Sequence, residues 1–90
     1  MSQAIVDPAE LRRFAGMLRE FNSDLQSRLG TVSGQLNSLN QTWRDQEHIK
    51  FAEEFTQHLK LLSRFVEANE RHVPYLLRKA ERIEEYMSQR

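Results

Sequence analysis

Two runs of residues between Leu11 and Met87, apolar but for Asn69, recur every three or four positions, and this spacing constrains the fold more than any other feature of the chain. The first run is Leu11, Phe14, Leu18, Phe21, Leu25, Leu29, Val32, Leu36, Leu39 and Trp43. The second is Phe51, Phe55, Leu59, Leu62, Val66, Asn69, Val73, Leu76, Ala80, Ile83 and Met87. Such spacing places one apolar face on each of two α-helices. The alternating pattern that a strand would need is absent. The sequence therefore predicts an all-α fold: a helix over about residues 8–41, a turn over 42–45 and a second helix over 46–88, forming one helical-hairpin domain across residues 1–90. In the first run the steps around Leu25 and Leu29 break a strict heptad, which predicts a stutter there.

Local signals agree with these boundaries. Asp7 suits an N-cap, Pro8 the first helical position and Glu10 the positive end of the helix dipole. Ile5 or Val6 is placed to staple back onto Leu11, while Met1 to Ala4 have nothing in sequence to hold them. For the second helix the cap is either Thr42, with Asp45 as the acid of a capping box, or Asp45 itself. Pro74 cannot donate to the carbonyl of Glu70. It predicts a kink in the second helix, the alternative being a break and a third helix. Between Gly30 and Thr42 the composition turns to Gly, Ser, Thr, Asn and Gln. Either the helix weakens here, or its small residues admit another backbone.

Helices of about 34 and 43 residues measure about 50 and 65 Å. Two such helices hide only a narrow seam, yet the apolar stripe is repeatedly two residues wide, as at Phe14 with Ala15, Leu61 with Leu62 and Phe65 with Val66. The surplus predicts pairing of one hairpin with another into a four-helix bundle, as a homodimer or with a related hairpin. The expected core and dimer face is Leu11, Phe14, Leu18, Phe21, Leu25, Leu36, Leu39, Phe51, Phe55, Leu62, Val66, Leu76 and Ile83.

Charge excludes several functions. Lys plus Arg and Asp plus Glu both number 13, and each half of the chain is balanced. Phosphate neutralisation by a nucleic-acid binder calls for a cationic stripe, and none is visible. No run of residues reaches the length of a membrane-spanning helix, so membrane insertion is not expected. The segment "MSQAIVDPAE" has neither a charged n-region nor an apolar h-region, so any export is expected to proceed without a cleaved leader.

Catalysis has no foothold in the pattern. His48, His58 and His72 lie ten and fourteen apart, which puts no two of them at the spacing of a helical metal site, and Asp45-x-x-His48 is the nearest approach to a ligand pair. They read as solvated histidines. Cysteine is absent, and Glu53-Glu54 and Glu84-Glu85 are adjacent acids pointing apart on a helix. No catalytic residue, cofactor or metal is expected, and a metal-dependent bundle enzyme is the least supported class.

With Trp43 at a short turn between two amphipathic helices, the chain resembles the Trp-x-Gly (WXG, ESAT-like) family of small proteins associated with type VII secretion. The residues that carry the resemblance are Leu36, Leu39, Trp43, Phe51 and Phe55, with a start like "VDPAELRRF" and a tail like "LRKAERIEEYM". It implies antiparallel hairpins packed as dimeric bundles, and a non-catalytic role as an exported substrate or a co-secretion adaptor. Trp43 is expected to close the end of the bundle by packing on Leu39 and the Phe51 turn. The resemblance also implies a partner groove in which Trp43 and Asp45 at the turn meet Tyr86 of the paired hairpin, read by a secretion ATPase or a larger co-secreted protein; both readings can hold at once. The location it implies is outside the cell, without a cleaved signal peptide. Two positions depart from the family pattern. Asp45 replaces the turn glycine, and Tyr86 is followed four residues later by Arg90 where the export signal has an acid; Tyr75 is followed by Lys79. A cytoplasmic helical adaptor or chaperone subunit is the alternative reading.

Overall fold

A computed structural model of the chain describes residues 6–89. It consists of two α-helices, α1 (Pro8–Thr42) and α2 (Gln46–Ser88), joined by residues 43–45. The staple at Ile5 and the expectations for residues 1–4 and 90 lie outside the described residues.

Helix α1 begins as its sequence dictates. Asp7 Oδ1 accepts from the Ala9 amide at 2.9 Å, and the Asp7 carbonyl accepts from Glu10 and Leu11 at 3.0 and 3.1 Å. Asp7 is therefore the cap and Pro8 the first helical residue, where its missing N–H costs nothing. Helix α2 passes through Pro74 as one element, so there is no third helix. Pro74 is exposed, and water can satisfy the Glu70 carbonyl that it leaves without a donor.

The chain divides into two compact units. One comprises Met1–Asn22 with Ala68–Arg90, the other Ser23–Glu67. In the first unit the two helical segments meet along a seam of small and polar side chains: Ala15, Asn22, Asn69, Val73 and Ala80 are buried, while Leu11, Leu18, Leu76 and Ile83 are half-buried. Ala80 is fully covered and Ala15 nearly so, which places the two backbones close together. Phe14, at 54% exposure, and Phe21, at 48%, lie off this seam.

That placement corrects the expected register. The covered positions on α1 run Leu11, Ala15, Leu18, Asn22, Leu25, Leu29, alternating four and three without a slip, so no stutter arises. The predicted stutter came from assigning Phe14 and Phe21 to the seam in place of Ala15 and Asn22.

One flank of the first unit's seam carries a two-pronged ion pair. Arg12 Nε donates to Glu84 Oε2 at 3.0 Å and Nη2 to Oε1 at 2.7 Å. These hydrogen bonds hold the Glu84 carboxyl below its ordinary range. A depressed folded-state value means that the contribution to stability is present above the unfolded carboxylate pKa and is lost as pH falls through the folded one. In urea titrations, Glu84→Gln is expected to be less stable than the parent at neutral pH. The gap should close in acid, and a gap independent of pH would contradict this account.

In the second unit Val66 is buried, and Leu25, Leu29, Leu36, Phe55 and Leu59 are half-buried. Gly30 and Gly34 are exposed, and a Cβ at either would meet nothing within 4 Å. No close approach within the chain requires them.

Candidate interaction site at the turn

The turn lies wholly in the second unit and is built from interlocking end caps. Helix α1 ends with its carbonyls pointing toward residues 43–45. There Trp43 N–H donates to the Leu39 carbonyl at 2.9 Å and Thr42 Oγ1 to the same carbonyl at 3.3 Å. Arg44 folds back so that Nε and Nη2 donate to the Gln41 carbonyl at 3.2 and 3.0 Å. A cation thus sits at the negative end of the α1 dipole, although no basic residue falls in the last turn itself.

Asp45 opens α2. Its Oδ1 accepts from the His48 amide at 3.0 Å, and its backbone carbonyl accepts from the same amide at 3.2 Å. Of the two caps left open by the sequence, Asp45 is the one used; Thr42 bonds back into α1. No described residue has a positive φ. The connection therefore does not need the left-handed conformation for which glycine is chosen, and an aspartate that caps is a better choice. Asp45→Ala is expected to cost about 1 kcal/mol and Asp45→Gly only a few tenths. Chemical denaturation of both variants checks this, and equal losses would show that the cap is not what matters.

Trp43 is half-buried against α2. Its ring lies 5.2 Å from that of His48 and 5.7 Å from that of Phe51, both tilted by just over 40°. Phe51 in turn stacks on Phe55 at 5.4 Å. Such offsets suit the ring quadrupoles. The His48 Nε2 atom is hydrogen-bonded to Asn40 Oδ1. An amide oxygen only accepts, so Nε2 carries the proton. His48 is thus a half-buried tie between α1 and α2, which corrects its reading as a solvated histidine; His58 and His72 are exposed. The sequence offered one signal for this tie: His48 falls one helical turn ahead of Ala52 and two ahead of Phe55, on the covered face of α2.

Trp43 and Asp45 therefore share one small structure. Tyr86 belongs to the other unit and is 63% exposed. Among the described residues no group of three or more His, Cys, Asp or Glu side chains is placed to hold a metal ion, and no helix is long and apolar enough to cross a membrane.

The residues proposed for the core and dimer face separate by exposure. Val66 is buried; Leu11, Leu18, Leu25, Leu36, Phe55, Leu76 and Ile83 are half-buried; and Phe14, Phe21, Leu39, Phe51 and Leu62 are exposed. Met17, Ile49, Leu61, Phe65 and Tyr75 are also exposed. The fold defines the chain's class as a helical-hairpin protein with large apolar side chains exposed on both helices.

Comparison with known proteins specifies the class. The family model for "Proteins of 100 residues with WXG" (WXG100) matches residues 3–86, and the chain belongs to that family. Among solved structures, it is similar to the crystal structure of selenomethionine-labelled ESXB, a secreted protein from Bacillus anthracis strain Sterne, at 27% identity and a TM-score of 0.76, covering 96% of this chain and 98% of that one. The wild-type protein in a second crystal form is similar at 28% identity and a TM-score of 0.74, with 91% and 94% covered. No curated protein matches the sequence.

Proposed function

We propose that the chain is a non-catalytic interaction protein that works as a dimer of helical hairpins, exported by a type VII route as a substrate or as the adaptor of a larger co-secreted protein. Membership of the WXG100 family and likeness to a secreted protein support export. The observation that carries the dimer is apolar exposure on both helices. Phe14 and Met17 on α1 and Leu61 and Leu62 on α2 are large apolar side chains exposed to water, and contiguous apolar surface of this kind marks a face that another protein covers.

In the dimer, Trp43 and Asp45 of one copy and Tyr86 of the other form the groove that a secretion ATPase or a larger partner reads. Sedimentation at micromolar concentration tests the first step: a dimer is expected, and a stable folded monomer overturns it. Trp43→Ala tests the second. The variant is expected to remain dimeric while losing a partner that co-purifies with the parent from the native host; retention of that partner excludes the groove.

A cytoplasmic adaptor is the second reading, favoured by one observation: neither Tyr75 nor Tyr86 is followed four residues later by an acid. Protein found in the culture medium of the native host, and lost from it when the secretion ATPase is deleted, would exclude the adaptor reading; protein confined to the cytoplasm would exclude export.

A further inference from the structure

Within the second unit, α1 and α2 part on one side to leave an open cavity of about 540 Å³ lined by residues between Ser33 and Asn40 on α1 and between Thr56 and Arg64 on α2. Its chemistry is unlike that of the apolar surface described above. Leu36 and Leu59 are the lining leucines, and both are half-buried. The remaining lining side chains are hydroxyls, amides and two cations, Lys60 and Arg64, with no carboxylate among them.

Lys60 and Arg64 are four residues apart on α2 and so are neighbours on one helix face, an arrangement in which like charges repel. Neither forms an ion pair among the described residues. No carboxylate lines the groove, so its lining is positively charged; Glu67, three residues after Arg64, is the nearest acid in sequence on α2. Asn40 uses its amide oxygen on His48, which leaves its two N–H donors for another acceptor. Asn37 lies one turn before it on α1 and lines the same cavity.

We propose that this groove binds an acidic segment of another polypeptide, whose carboxylates pair with Lys60 and Arg64 while an apolar side chain rests on Leu36 and Leu59. The two leucines and the flanking amides favour a polypeptide over a bare phosphate, because a small anion would use the cations and leave the rest of the groove unoccupied. The open form of the cavity suits a chain laid along it. This inference does not rest on the dimer or on export.

The test is fluorescence anisotropy of the full chain with a fluorescein-labelled synthetic peptide of glutamates and leucines at helical spacing. Saturable binding is expected, weakening as salt rises because exposed charges are screened. Lys60→Glu combined with Arg64→Glu should weaken it by about tenfold or more. Both positions are exposed, so the charge reversal leaves the packing alone; the milder pair Lys60→Gln with Arg64→Gln should weaken binding in the same direction. Circular dichroism and sedimentation matching the parent establish that each variant is folded and in the same assembly. Three results would overturn the proposal: equal binding by parent and variants, equal binding of a peptide with glutamine in place of glutamate, or tighter binding of oligothymidine. Complete displacement of the peptide by inorganic phosphate at matched charge would show a simple anion site and would likewise overturn it.

Discussion

Asn22→Leu is expected to raise stability by about 1–3 kcal/mol. Asn22 is 4% exposed, and neither its amide nitrogen nor its amide oxygen has a hydrogen-bond partner among the described residues. A buried amide gives up its bonds to water on folding, and here it regains none among the described residues. Leucine has a similar reach and no polar atoms, so the desolvation penalty disappears and apolar burial replaces it. For a domain of this size, each kilocalorie corresponds to roughly 4–8 °C in Tm, which thermal unfolding resolves easily. An unchanged or lowered Tm would mean that an ordered water, or a second copy in the assembly, satisfies Asn22. The residue's position suggests why it is there: a polar group buried in the seam, as Asn69 also is, disfavours shifted pairings of the same helices, as buried polar positions do in coiled coils. Asn22→Leu is therefore also expected to lose register specificity, seen as broader or duplicated amide signals in NMR spectra.

Ala80→Leu should act in the opposite direction, costing about 1–3 kcal/mol through overpacking. Ala80 has no exposed surface, and the nearby seam is lined by Ala15, itself 1% exposed. A leucine at this position must either push the two helical segments apart or adopt a strained rotamer. Ala9→Leu is the control. Ala9 lies on the exposed side of α1, where the same added volume should change stability by no more than about 0.5 kcal/mol. Urea denaturation of the two variants at one protein concentration makes the comparison. Equal stability would show that the seam is loose enough to admit a larger side chain, and that the closeness of the helices in this unit is not enforced by packing.

Helix ends were legible because their determinants are local. Asp7, Pro8 and Glu10 state a start, and the short polar stretch around Asp45 states a turn; each acts on backbone groups within three residues of itself. The continuation of α2 through Pro74 was legible as well, since the apolar spacing passes the proline unchanged and its single lost hydrogen bond faces solvent. Less accessible was the choice of which apolar residues enter the seam. Hydrophobicity alone favours Phe14 and Phe21 over their neighbours Ala15 and Asn22, yet close approach of two helices selects for small side chains and pushes the large rings to the flank. The ion pair between Arg12 and Glu84, 72 residues apart, had no sequence signal at all, since both are ordinary charged residues on exposed faces. His48 reads as a surface histidine until Trp43 is packed beside it and Asn40 is found in reach.

The sequence by itself determined two amphipathic helices, the cap of the first, the turn that joins them and the family whose pattern they follow, because periodicity and capping act over a few residues and need no knowledge of distant contacts. Only the tertiary structure decided which side chains are covered, that Asp45 works as a cap and not as a substitute for a left-handed glycine, and that an unpaired asparagine is shut into the seam. Those outcomes depend on how near one helix comes to another, and that distance is set jointly by side chains far apart in the chain.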